Sequence, residues 1–217
     1  MLISRKKFLQ IGAGSIAGFA LSNLWLPKLL QAASVKNGRG RLPIIWFQSQ
    51  ACSGCAVSLL NTEYPGIAEV LIEVITLDYQ PTVMAAQGEL ATGIMDRMIS
   101  EEKGEYILVV DGSIPVEEDG EYCTVGEKNG KPVTALQWIK NIGENSKAVV
   151  AVGSCATWGG IPAAPPNPTG AKPGSEIVKD KPIINVPGCP PHPDWMVGTM
   201  VSVLKYGIPE LDELNRP

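Results

Sequence analysis

The sequence predicts an α/β fold in which a doubly wound parallel sheet has helices on both faces. Two observations support this fold class. After residue 40, short apolar runs alternate with segments of helical periodicity, which is typical of βαβ units. The apolar runs are continuous, as in strands that helices cover on both faces. With 217 residues and 45% hydrophobic content, the chain is long enough for one such domain.

Five apolar runs are predicted to be the strands. They span residues 42–48, 70–77, 106–110, 148–152 and 182–186. Apolar residues recur every four positions from Leu90 to Met98, which predicts a helix there. Thr134 and Gln137 form a capping box, the signature of a helix start. A last apolar helix face is predicted over residues 196–204.

The first 33 residues have the composition of an export signal. Basic residues at positions 5–7 precede an apolar stretch over residues 8–26, and small residues follow. Residues 4–9 resemble a twin-arginine signal, with lysine where the second arginine is usual. We therefore expect residues 1–33 to be a twin-arginine-like export signal and residues 34–217 to be the folded domain. A membrane anchor is the alternative, because about 20 apolar residues can span a bilayer.

The charge of the remaining chain bears on its partners. The predicted signal contains four basic residues and no acidic one. Without it, 14 basic residues stand against 22 acidic ones, a net charge of −8. An acidic domain without a basic cluster argues against nucleic acid as a partner.

Four cysteines follow directly on predicted strands. Cys52 and Cys55 come after the first strand, and Cys155 and Cys189 come after the last two. The carboxyl ends of parallel strands meet at one edge of a sheet, so we expect the four thiols to converge there. Four convergent thiolates indicate a metal site, and an iron–sulfur cluster is the first interpretation.

Two other interpretations of the cysteines stay open on this pattern. A tetrahedral zinc site also uses four thiolates, although structural zinc usually takes two close cysteine pairs. Five cysteines in an exported chain can also form two disulfides and leave one thiol free. The fifth cysteine, Cys123, is predicted to lie outside the set of four.

Five motifs occur in order over nearly all of residues 40–217. They are residues 52–61, which begin Cys-Ser-Gly-Cys; residues 81–85; Tyr122-Cys123; residues 153–162, which begin Gly-Ser-Cys-Ala-Thr-Trp-Gly-Gly; and residues 186–193, Val-Pro-Gly-Cys-Pro-Pro-His-Pro. Together they resemble the small subunit of nickel–iron hydrogenases, including the nickel–iron–selenium branch of that family.

The resemblance implies a flavodoxin-like domain that binds a proximal [4Fe–4S] cluster through Cys52, Cys55, Cys155 and Cys189. It implies a separate large subunit that contains nickel and iron and performs the hydrogen chemistry, so no catalytic residue is expected in this chain. The chain would exchange electrons with that subunit and with a protein such as a cytochrome or ferredoxin. The complex is expected in the periplasm or at the outer face of the cytoplasmic membrane, where membrane association is compatible with its role.

Two features distinguish this chain within the family that it resembles. Gly54 and Gly160 stand where oxygen-tolerant members have two extra cysteines, so the standard four-cysteine type is expected. Family members continue into a C-terminal domain for medial and distal clusters, whereas Cys189 is the last cysteine here. We therefore expect a truncated chain without that domain, in preference to a second polypeptide that supplies it.

Two related electron carriers fit the sequence less well. The cluster-binding subunit of respiratory NADH:quinone oxidoreductase has a similar Pro-Gly-Cys-Pro-Pro turn, but it has adjacent cysteines in its first motif and no export signal. A flavodoxin-like flavin carrier requires a phosphate-binding loop after the first strand, where this chain has the segment from Cys52 to Cys55.

Overall fold

A computed structural model describes residues 41–217. Its strands are β1 Leu42–Gln48, β2 Ile75–Tyr79, β3 Ile107–Asp111, β4 Thr124–Lys128, β5 Lys131–Thr134, β6 Ala148–Val152 and β7 Ile183–Val186. Its α-helices are α1 Gly54–Leu60, α2 Ile67–Glu69, α3 Glu89–Glu101, α4 Ala135–Asn145, α5 Gly153–Trp158, α6 Gly174–Ile177 and α7 Pro193–Tyr206. Other helical segments are the π-helical stretch Val70–Val74 and two 3₁₀ segments, Glu117–Gly120 and Ile161–Ala163.

Five strands form a parallel sheet in the order β2-β1-β3-β6-β7. This is the flavodoxin-like order, which confirms the predicted doubly wound fold. From β1 the chain moves to β2 on one side, and β3 then lies on the other side of β1. The topological switch point, where such folds bind ligands, therefore lies between β1 and β3. Strands β4 and β5 form a separate antiparallel hairpin.

Helices cover both faces of the sheet, as the continuous apolar strands predict. On one face, α3 and α4 bury Met95, Met98 and Trp138 against the strands. On the other face, α1 and α7 bury Leu59 and Met200. Because each strand sends alternate side chains into each of these two cores, the strand ends are held in fixed positions.

The predicted strand over residues 70–77 is wrong in its first part. Residues 70–74 form the π-helical stretch, and β2 begins only at Ile75. Val70 is fully buried in the core beneath α7, whereas Leu71 and Ile72 are half-buried. A short apolar run has the same composition in a buried helical turn and in a strand, so the pattern did not separate them. The other four strands agree with prediction to within one residue.

The predicted capping box is confirmed. The Gln137 backbone N–H donates to Thr134 Oγ1 at 3.2 Å, and the Thr134 backbone N–H donates to Gln137 Oε1 at 3.3 Å. These two bonds satisfy backbone N–H groups that otherwise have no partner at the start of a helix. They fix the start of α4 directly after the β4–β5 hairpin.

The predicted export signal, residues 1–33, lies outside the described residues, and so does the domain boundary predicted at residue 34. Within residues 41–217, none of the helices combines the length and the apolar character that crossing a bilayer requires.

Candidate metal centre

The structure brings the four predicted cysteines together at the carboxyl edge of the sheet. Cys52 and Cys55 follow β1, Cys155 lies in α5 after β6, and Cys189 follows β7. Cys55 is close enough to Cys52 and Cys155 to feel their charge, and Cys155 is similarly influenced by Cys189 and Cys52. All four thiols are free rather than paired in disulfides. The arrangement therefore collects one set of four sulfur donors from three separate segments.

Two glycine turns bring the backbone against these sulfurs. A Cβ atom at Gly153 would lie 2.6 Å from Cys55 Sγ, and one at Gly160 would lie 2.5 Å from Cys155 Sγ. Both glycines have positive φ, +87° and +58°, a region that side chains rarely adopt. The site is thus a cradle that any larger residue at positions 153 or 160 would partly fill.

The turn at Gly160 also places a hydrogen-bond donor. The backbone N–H of Ile161 lies close enough to the Cys155 sulfur to act to lower its pKa. A backbone donor of this kind stabilises negative charge on sulfur, as a thiolate ligand requires. Ser53, between the first two cysteines, adopts left-handed backbone geometry with φ 63°, so the loop after β1 is also locally strained.

The two inner thiols are hard to ionise. Burial raises the pKa of Cys55 strongly, and the adjacent Asp111 carboxylate, Cys52 and Cys155 raise it further. Burial also raises the pKa of Cys155, while the Ile161 N–H opposes that shift. Metal binding at these thiols would therefore release their protons, because a ligand cysteine binds as the thiolate.

Sequence reasoning missed a buried carboxyl group beside the cysteines. Asp111 ends β3 at the switch point and is 2% exposed. Its Oδ2 accepts hydrogen bonds from Trp46 Nε1 at 3.3 Å and from Gln48 Nε2 at 3.4 Å. Burial raises the pKa of Asp111, and these bonds together with the Cys55 thiol oppose that shift. The available signal was an acidic residue directly after the apolar run over residues 106–110, at the carboxyl end of a predicted strand.

As placed within residues 41–217, the cysteines do not form a ready site for one metal ion. Around a single zinc ion, sulfur lies about 2.3 Å from the metal, so all four sulfurs must crowd together. Within residues 41–217, no three Cys, His, Asp or Glu side chains are grouped closely enough to hold one ion. In an iron–sulfur cube each thiolate binds a different iron, which spaces the sulfurs farther apart.

The centre lies at the protein surface. Cys52 and Cys189 are exposed, whereas Cys55 and Cys155 are half-buried. Large apolar side chains a few residues after these cysteines are also exposed: Val57 by 49%, Trp158 by 47% and Ile161 by 82%. Apolar side chains close in sequence to the cysteines are therefore open to solvent in this chain.

Two single residues fall outside the group of four. Cys123 is half-buried before β4 and is not among the residues that influence the Cys55 or Cys155 thiols in the described structure. His192 begins α7, where its Nδ1 accepts a hydrogen bond from the Asp194 backbone N–H at 3.3 Å.

Comparisons with known proteins identify one matching family model and several similar proteins. The family model described as NADH ubiquinone oxidoreductase, 20 Kd subunit, matches residues 52–203. The periplasmic [NiFeSe] hydrogenase small subunit of Desulfomicrobium baculatum is 41% identical, with 100% of this chain and 73% of that protein covered. The uptake hydrogenase small subunit of Azotobacter vinelandii is 38% identical, with 99% of this chain but 58% of that protein covered.

A solved structure shares the fold as well as the sequence. In the crystal structure of a reduced, active form of the Ni-Fe-Se hydrogenase from Desulfomicrobium baculatum, the matching chain has a TM-score of 0.78 and 45% identity. The match covers 82% of the present chain and 69% of that chain. The present chain thus spans between about half and three quarters of the length of the relatives that it matches.

Proposed function

The chain belongs to the family of hydrogenase small subunits, and from this premise we propose that it carries electrons through a [4Fe–4S] cluster bound by Cys52, Cys55, Cys155 and Cys189. The observation that supports this proposal most directly is the convergence of four free thiols from three strand ends around two glycine turns. Hydrogenase small subunits are components of the hydrogenase enzyme, and the present chain is assigned an electron-transfer role within it.

Each part of the centre has a task in this proposal. A bound cluster would accept and release one electron at a time. The four cysteines would hold it as thiolates, and Gly153 and Gly160 leave room for it next to the backbone. The Ile161 N–H stabilises charge on the Cys155 sulfur. Hydrogen bonds to sulfur of this kind tune the reduction potential of such clusters.

The exposed edge fits a partner that receives or supplies the electrons. We propose that a large subunit containing nickel and iron, with or without selenium, covers the exposed sulfurs and performs H₂ oxidation or proton reduction. The exposed Val57, Trp158 and Ile161 support this location, because covering them removes apolar surface from water. A cytochrome or ferredoxin would exchange electrons with the complex, and nucleic acid is not expected as a partner.

The proposed location is the periplasm or the outer face of the cytoplasmic membrane, where the complex can associate with the membrane. The Desulfomicrobium baculatum relative is named a periplasmic protein, and residues 1–33 have the composition of a twin-arginine-like export signal. Residues 34–217 would then be the exported flavodoxin-like domain.

A second candidate function rests on the matching family model. That model is described as a subunit of NADH ubiquinone oxidoreductase and spans most of the domain. The Cys52-Ser53-Gly54-Cys55 motif argues against this role, because that subunit has adjacent cysteines at this place. Hydrogen-dependent reduction of the cluster in the purified complex would favour the hydrogenase role, and NADH-dependent reduction would favour the other.

The proposal is tested on protein purified without oxygen from its native host. We expect about four iron atoms and four acid-labile sulfides per chain, as a [4Fe–4S] cluster requires, with visible absorption that bleaches on reduction. Cys189→Ala should lose this iron, whereas Cys123→Ala should retain it. A colourless protein that contains zinc, or full iron content in Cys189→Ala, would refute the assignment.

A further inference from the structure

The turn that carries Cys189 has few backbone donors of its own. Four of the seven residues from Pro187 to Pro193 are proline. Proline has no backbone N–H, so these four positions can accept a hydrogen bond but cannot donate one. The contacts that fix this turn to its neighbours therefore depend on its carbonyl oxygens.

Two hydrogen bonds to carbonyl oxygens of this turn flank Cys189 in the sequence. The Ser154 backbone N–H donates to the Gly188 carbonyl oxygen at 2.7 Å, which joins the turn to the helix that contains Cys155. The Ser58 hydroxyl donates to the Pro191 carbonyl oxygen, also at 2.7 Å, which joins the turn to α1. Together these bonds connect all three cysteine-bearing segments.

The Ser58 bond lies inside the protein. Ser58 is 7% exposed, and Pro191 is buried. Cys189 and Pro190, in contrast, are exposed, so little protein packs on the outer side of the turn. Without the hydroxyl, the Pro191 carbonyl would be buried without this partner, and the turn would move to satisfy it.

The position of Ser58 relates it directly to the first cysteine pair. Ser58 follows Cys55 by three residues in α1, so the two side chains are neighbours on the helix surface. We propose that Ser58 is a positioning residue for the cluster, whose hydroxyl holds Cys189 at a fixed place relative to Cys55. This inference rests on the proposed function, because it concerns the same cluster.

The test compares two buried serine hydroxyls that bond to backbone carbonyls. Ser146 donates to the Gly143 carbonyl oxygen at 2.8 Å, just before β6 and therefore at the opposite end of the sheet from the cysteines. Full-length protein purified without oxygen is exposed to an iron chelator, and iron release is followed with time. Ser58→Ala should release iron about tenfold faster than wild type, in proportion to one lost buried hydrogen bond, and Ser146→Ala at the wild-type rate.

A second pair of variants separates the effect of the Ser58 hydroxyl from the effect of side-chain packing. Ser58→Thr keeps a hydroxyl. Valine in Ser58→Val has nearly the same shape as threonine but no hydroxyl. We expect slow iron release and a wild-type reduction potential in Ser58→Thr, and fast release with a shifted potential in Ser58→Val. A structural role alone would lower stability equally in Ser58→Ala and Ser146→Ala without moving the potential.

Three results would overturn the inference. Wild-type release and potential in Ser58→Ala would show that the hydroxyl does not position the cluster, and so would equal effects in Ser58→Thr and Ser58→Val. Both leave the proposed function intact. A wild-type protein without iron and sulfide would overturn the proposed function, and the inference with it.

Discussion

The two ends of the parallel sheet are built in different ways. At the amino ends of the strands, buried hydroxyls are paired with backbone carbonyls: Tyr106 Oη donates to Ile142 at 2.9 Å, and Ser146 Oγ donates to Gly143 at 2.8 Å. At the carboxyl ends, the chain turns through positive φ at Gly153, Gly160 and Gly188 and presents cysteines. The sheet thus ends in buried polar contacts on one side and in cysteines carried on glycine turns on the other.

This difference separates the end of the sheet that stabilises the fold from the end that can bind a cofactor. At the amino end the Tyr106 and Ser146 hydroxyls are satisfied internally, so they add to stability. The carboxyl end holds desolvated thiols and left-handed backbone, which are maintained because the two apolar cores fix the strand ends. Substitutions at the two ends should therefore separate loss of the cluster from loss of stability.

The largest expected effect follows removal of an inner thiol. Cys55→Ala should strongly reduce bound iron, because one iron of the cluster would lose its thiolate ligand. The fold should survive, since Cys55 is only half-buried and Ala keeps the helical backbone of α1. Iron content and far-ultraviolet circular dichroism measure the two outcomes. Full iron content in this variant would contradict the proposal that substitutions at the carboxyl end of the sheet cause loss of the cluster.

The next effect comes from the glycine turn beside Cys155. In Gly160→Ala the new Cβ would lie 2.5 Å from Cys155 Sγ and 2.8 Å from Cys155 Cα, at φ +58°. We expect a loss of about 3–5 kcal/mol in the free energy of unfolding together with reduced iron content. Denaturant unfolding of the protein without iron, and iron analysis of the holoprotein, measure these quantities.

Gly130 in the β4–β5 turn is the matched control for Gly160. It also has positive φ, +73°, but nothing lies within 4 Å of a Cβ placed there. Gly130→Ala should lose only about 1–2 kcal/mol from backbone strain and should keep its iron. Equal stability losses in the two variants would mean that the contact with Cys155 is not tight.

A smaller effect is expected at the amino end of the sheet. Tyr106→Phe removes the buried hydrogen bond to the Ile142 carbonyl and should lower the free energy of unfolding by about 1–2 kcal/mol. Iron content and iron release should match wild type, because Tyr106 lies before β3 and far along the strand from Asp111. Urea unfolding and the chelator assay check this, and faster iron release would show that the two ends are coupled.

The smallest effect is expected on the β4–β5 hairpin, away from both ends. Lys128 pairs with Asp96 and lies 4.3 Å from the centre of the Trp138 ring. Both charged side chains are more than 40% exposed, so Lys128→Met should lower stability by less than about 1 kcal/mol. Thermal unfolding at low and high salt measures this. A loss above about 2 kcal/mol would contradict the assignment of the hairpin as a weakly held surface element.

The sequence by itself determined the elements and the composition of the site. Continuous apolar runs predicted strands that are buried on both faces. Thr134 and Gln137 predicted the start of α4. The cysteines that follow three of the strands predicted the edge of the sheet at which the thiols would lie. These signals are local, since they depend on residues within one helical turn or one strand. The run over residues 70–77 shows their limit, because a local apolar pattern does not distinguish a buried helical turn from a strand.

Only the tertiary structure decided which distant groups meet the cysteines. Asp111 lies beside Cys55 because β1 and β3 are neighbours in register, with Gln48 opposite Asp111. Ser58 reaches the Pro191 carbonyl across 133 residues of sequence. Such contacts depend on strand order and on how helices pack over the sheet. No pattern in the sequence around either residue specifies them, because the partner is brought close only when the whole chain folds.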